Sequence, residues 1–197
     1  MPSADYVQQS LSGAAQLMAG KKDGLRFLDI SADGFWTSFF AIVVALPAMT
    51  VGWVTLANEL AFQGDGLGSR LSIVLRLATI DVLAWIVPLA AFALLAKPVG
   101  VSSRFVHFVV ASNWASAIYV WLMLPPSLIR LFWPAAGDSL TAVSLGIFLF
   151  TMVLSWRLTN SVIDKGPAFA TGIFAGMFVV SLLVLFTLQG VFGFVQS

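Results

Sequence analysis

Asp81 lies inside an apolar run extending from about Leu71 to Ala96, with Arg76 five residues before it and Pro88 seven after. About ten residues into a helix rising 1.5 Å per residue, its carboxylate is about 15 Å deep, near the midplane of a bilayer. A charge there costs roughly 2.5 to 3.5 kcal/mol, so such a group is neutralised, paired or set in a water-filled cavity, conditions that also suit a proton or small-cation site. Arg76 is about 140° round the helix, not at the i+3 or i+4 spacing that joins side chains, and is expected to reach outward. In a second apolar run, about Phe105 to Leu124, Asn113 reaches a similar depth, with Ser112 and Ser116 close by. A polar cluster of Asp81, Asn113 and Ser116 is therefore predicted. Pro88, on the face of Asp81, leaves the Ala84 carbonyl without its helical donor and adds an acceptor. The functional reading is a proton- or ion-coupled step. The structural reading is an interhelical hydrogen bond worth about 0.6 to 2 kcal/mol. It carries more weight, because proton relays show more than one ionisable residue within the membrane.

Other reactive types are sparse. His107 is the single histidine, three residues after Arg104. Bis-histidine haem ligation and the zinc-protease pattern both need more, so an interfacial, hydrogen-bonded role is expected. Gly137-Asp138-Ser139-Leu140 spells a string known from lipases, but no histidine follows it. Asp138 and Ser139 read instead as a helix cap. With no cysteine in the chain, disulfides, thiolate nucleophiles and Cys-ligated metals are excluded. No acids, bases or metal ligands converge, so neither an enzyme nor a cofactor is expected.

The elements that position these residues follow from composition. Of 197 residues, 59% are apolar and 10% charged, against about a quarter charged in soluble domains. Net charge is +1, which gives no field to attract nucleic acid. The expected fold is all-α: a polytopic transmembrane bundle with spans of about 35–57, 71–96, 105–124, 140–158 and 167–194, each able to cross roughly 30 Å of hydrocarbon. Asp33 is expected to cap the first span, Trp36 and Trp53 to anchor its two ends, and Pro125-Pro126 to end the third. The apolar piece between Ser127 and Pro134 is then too short to span and is expected in the interface. Interior Trp85 and Trp114 are read as packing residues. In the fifth span Ala168, Gly172 and Gly176 form a small-residue stripe for helix packing, within the chain or between copies.

Residues 1–33 form a separate amphipathic segment, expected to be cytoplasmic and retained, since Lys21 and Lys22 follow its apolar positions instead of preceding them. Val7, Leu11, Ala14 and Met18 make one helical stripe that faces either the membrane surface or the protein. Gly20 stops the helix, which places the interfacial basic residues Lys21, Lys22 and Arg26 near anionic headgroups. Lys97, Arg104, Arg157 and Lys165 share the side of these three, whereas the other side has chiefly Arg70 and Arg130. The amino end is accordingly expected in the cytoplasm and the carboxyl end outside, with a bacterial inner membrane as the location.

An amphipathic amino segment, five closely spaced spans and an external carboxyl end resemble the layout of the Yip-type family of membrane proteins. The segment Asp29-Ile-Ser-Ala-Asp-Gly-Phe-Trp-Thr-Ser-Phe39, with Asn113-Trp114 and Ser155-Trp156-Arg157, is similar to patterns in its bacterial branch. The Asp-Leu-Tyr-Gly-Pro type of loop of eukaryotic members is absent, so the resemblance implies neither vesicle trafficking nor catalytic residues. The expected function is that of an accessory subunit, scaffold or membrane-organising factor, with the lipid bilayer and a protein partner or second copy as its contacts. The alternative is a small transporter or channel subunit with a proton or ion site at Asp81.

Overall fold

The computed structural model describes residues 1–61 and 66–194, apart from the side chains of residues 136–138. The side chain of Asp138, expected as a cap, thus lies outside the description.

The chain is all-helical among the described residues. Helix α1 spans Ala4–Met18, followed by a 3-10 segment at Lys22–Phe27, α2 at Ala32–Ser38 and α3 at Ala41–Leu60. Then come α4 (Leu67–Ala96), α5 (Phe105–Phe132), α6 (Gly137–Ile163) and α7 (Pro167–Val191). Five stretches are long and apolar enough to cross a membrane: Ala32–Leu60, which joins α2 to α3, then Leu67–Ala96, Ser102–Phe132, Ser139–Ile163 and Pro167–Val191. The protein is an integral membrane protein.

Several boundaries differ from the sequence reading. The first span is capped by Ser31, whose Oγ accepts from the Gly34 amide at 3.0 Å, and Asp33 falls one residue inside α2. A helix cap must stand just before the first turn to reach its free amides, and Ser31 does so. The third span does not stop at Pro125-Pro126: α5 runs through both prolines to Phe132, so Ser127–Phe132 is helical rather than a separate interfacial piece. Membrane helices tolerate proline when the freed carbonyls find other donors. The carbonyls that Pro125 and Pro126 leave without helical donors are those of Trp121 and Leu122, and Ser127 Oγ donates to the next one, of Met123, at 2.9 Å.

The spans close a ring in the order α3, α4, α7, α6, α5, with α5 also carrying α1 and α2 on its side. The tightest packing is at one end, where Ala41, Ala45, Phe92, Val109, Val110, Leu158 and Ile163 are all nearly inaccessible. This is the end that bears Lys22, Lys97, Arg104 and Lys165, and it is called the basic end below.

Helix α1 lays its apolar side on the bundle, not on lipid. Ala14, Leu17 and Met18 are buried, and Tyr6 meets Trp114 of α5 edge-on at 6.1 Å between ring centres. The helix ends at Gly20, whose φ of +81° is open to glycine at little cost. Arg157 then donates to the Ala19 carbonyl at 2.5 Å, and Ser161 to that of Leu17 at 3.1 Å. Lys22 pairs with Asp164 in the α6–α7 turn. That ammonium holds the Asp164 carboxyl below the usual carboxylate range, so the pair acts at neutral pH and is lost only as pH falls through the lowered value.

Docking of α1 relies on a close backbone crossing at Gly13 and Gly24. A Cβ on Gly24 would stand 2.5 Å from the Gly13 carbonyl oxygen. Gly24→Ala should cost about 1 to 3 kcal/mol and speed hydrogen exchange across Ala4–Met18 while leaving α5 protected. Unchanged exchange in α1 would refute the crossing.

Candidate functional site

Hydrocarbon offers no hydrogen bonds, so each polar side chain within the spans needs a protein partner or enclosed water. Asn113, on α5, is fully buried. Its Oδ1 accepts from Trp85 Nε1 of α4 at 3.0 Å. Its Nδ2 donates to Ser38 Oγ at the end of α2 at 2.8 Å, and Ser38 Oγ donates to the Phe35 carbonyl at 2.7 Å. An indole N–H only donates and an amide does both, so the sense of this relay follows from the residue types. One side chain thereby joins three helices.

Asp81 does not share in it. Although it precedes Trp85 by one turn of α4, its Oδ2 accepts from Trp53 Nε1 of α3 at 2.7 Å. Trp53 is itself buried, so it serves as a donor between helices rather than as the interface anchor expected from its position. The expected cluster of Asp81, Asn113 and Ser116 is therefore divided. Trp53 on α3 supplies the donor for Asp81, while Asn113 is engaged by Trp85 and Ser38.

Asn113 and Ser116 do line a common, partly open cavity of about 190 Å³ between α4, α5, α6 and α7. Hydroxyls of Ser112, Ser155, Thr159 and Ser181 complete its polar wall, and Ala84 and Pro88 lie along it. Thr159 and Ser181 donate to carbonyls of their own helices, at 2.8 Å to Ser155 and 3.0 Å to Met177, as Ser112 does to Phe108. Their oxygens keep acceptor capacity for water or a small cation. No ionisable side chain is among the lining residues, and no group of three or more His, Cys, Asp or Glu occurs among the described residues.

Searches against protein-family models, curated proteins and solved structures found no match.

The remaining expected site residues are dispersed. Lys21 is exposed, Lys22 is engaged by Asp164, and Arg26 lies 3.6 Å from Asp23 one turn away. His107 Nδ1 is buried with no hydrogen-bond partner among the described residues, unlike the hydrogen-bonded role expected of it. Ala168, Gly172 and Gly176 are on the α7 face towards α4, yet a Cβ on either glycine would meet no atom within 4 Å. Phe92, Leu95, Phe169 and Met177 line a groove there together with the stripe.

Sequence reasoning missed the tryptophans as connectors. Besides Trp53 and Trp85, Trp121 Nε1 donates to the Val44 carbonyl of α3 at 3.0 Å, and Trp156 Nε1 to Thr171 Oγ1 of α7 at 2.9 Å. The signal was available in part, since an interior indole brings a donor that calls for an acceptor, although Trp114 Nε1 is buried without a partner among the described residues.

The Asn113 relay should show coupling in a double-mutant cycle. Ser38→Ala and Asn113→Leu, singly and together, should give an interaction energy of about 0.6 to 2 kcal/mol in detergent unfolding. Strict additivity would mean that the two side chains do not meet.

Proposed function

We propose that this is a non-enzymatic membrane protein acting through its helix surfaces, as an accessory subunit, scaffold or membrane-organising factor. The observation that supports this most is the use of the intramembrane polar groups: Trp53 with Asp81, Trp85 with Asn113 and Trp156 with Thr171 tie neighbouring helices together. Side chains committed in pairs across helices serve rigidity. Reactive chemistry would ask them to converge on one point. The layout, which resembles that of Yip-type proteins, agrees with such a role. In this reading the basic end faces the cytoplasm, because Lys and Arg accumulate there, and the bacterial inner membrane is the location.

A second reading, a small transporter or channel subunit, draws on the cavity of about 190 Å³ with its hydroxyl wall and on Asp81 as the costliest side chain within the spans.

Asp81 separates the two. Asparagine keeps an oxygen for Trp53, and leucine does not. In the scaffold reading Asp81→Asn retains assembly and leaves proton and cation flux into proteoliposomes at the wild-type level, whereas Asp81→Leu lowers thermal stability. A flux present in the wild type and abolished by Asp81→Asn in a well-folded protein would overturn the scaffold in favour of transport.

A further inference from the structure

Ser116 lines the cavity between α4, α5, α6 and α7, and no hydrogen bond among the described residues uses its Oγ. The other hydroxyls are partly spent. Those of Ser112, Thr159 and Ser181 donate to carbonyls of their own helices and keep lone pairs to offer. Pro88 has no N–H for the carbonyl of Ala84, and both residues lie along the same cavity. Away from water an unpaired hydroxyl costs free energy until something pairs with it. The wall is also held in place: Asn113 and Thr159 are 0% and 2% exposed, and Asn113 is bound from two sides by Trp85 and Ser38.

The cavity has an apolar side too. Phe174 and Phe178 of α7 line it, their rings one turn apart, parallel to within 4° and 6.3 Å between centres. This combination disfavours two kinds of occupant. An ion finds no opposite charge, since no ionisable side chain is among the lining residues, and an uncompensated buried charge is costlier than any unpaired hydroxyl. A hydrocarbon chain leaves the Ser116 hydroxyl unpaired. A neutral molecule with hydroxyls on a short carbon skeleton satisfies both sides, because each O–H donates and accepts while its C–H groups rest on the rings. The volume of about 190 Å³ is that of about six waters at ~30 Å³ each, and so of a molecule with about six non-hydrogen atoms.

We propose that the cavity inside the ring of spans binds one small neutral polyol of glycerol's size, its hydroxyls on Ser116 and the neighbouring hydroxyl wall and its carbon skeleton against Phe174 and Phe178. The proposal rests on the cavity alone and goes beyond the scaffold reading, which concerns the outer surfaces of the bundle.

The indole N–H signal of Trp85, which lines the cavity, reports occupancy in the full chain in detergent. That of Trp133, 70% exposed, reports the effect of the solvent. Glycerol should shift Trp85 along a saturable curve and Trp133 only linearly, whereas mannitol, too long for this volume, and potassium chloride should move Trp85 no more than Trp133. Ser116→Ala should weaken glycerol by about three- to tenfold, the loss of one hydrogen bond, and Ser181→Leu, which fills the cavity, should abolish the saturable shift. A folded wild type in which glycerol moves Trp85 no more than Trp133 overturns the proposal and leaves the cavity to water alone. Saturation by potassium chloride overturns it in favour of a cation site. Equal glycerol affinity in Ser116→Ala and the wild type, or a saturable shift that survives Ser181→Leu, places the bound molecule elsewhere and overturns it as well.

Discussion

The bundle is organised by the need of a polar group in hydrocarbon for a partner, and Asn113 meets that need most completely. Buried on α5, it accepts a hydrogen bond from Trp85 and donates one to Ser38, so its two functional atoms bring α4 and α2 against the same turn of α5. Left unpaired, either atom would bear a desolvation cost of about 1 to 3 kcal/mol. The relative placement of these helices is therefore specified in a way that apolar contact alone, indifferent to lipid or protein, does not achieve.

The other features follow from this arrangement. With α5 fixed to α2 and α4, its remaining side receives α1, whose apolar stripe would otherwise face lipid or water. Arg157, Ser161 and Lys22 then fasten the end of α1 to α6 and the α6–α7 turn. The basic end becomes the compact part of the molecule. Further round the ring α7 contacts both α4 and α6, but its glycines stay clear of any neighbour. Polar connection in the middle and at α1, with an apolar groove at the side, is a distribution suited to a rigid body that meets other membrane components through its surface.

The spans were legible because each is an apolar run, and hydrocarbon thickness sets how long such a run must be. Their ends were less so. Pro125 and Pro126 look like a stop in any soluble context, but α5 continues through them to Phe132. Ser31 and Asp33 are both good caps by type, and only the backbone decides between them. Within the spans the depth of Asn113 could be read from its distance to the helix ends. Its partners could not, because they depend on how α2 and α4 rotate towards it. Asp81 shows the same limit: its depth marked it as costly, but the direction of its side chain was decided by Trp53 on another helix. Gly172 and Gly176 formed a recognisable motif, but a Cβ on either would meet no atom within 4 Å, so no neighbouring helix is packed on them.

The central claim, that indole donors join the spans, is tested most directly by the side-chain N–H signals of the seven tryptophans in detergent, assigned by Trp→Phe substitution. Trp53 and Trp85 should exchange slowly with solvent, and Asn113→Leu should shift and expose the Trp85 signal alone of these two. Trp36 and Trp133, which are 72% and 70% exposed, should exchange rapidly. A Trp85 signal that exchanges as fast as that of Trp133, or that ignores the loss of Asn113, would contradict the account.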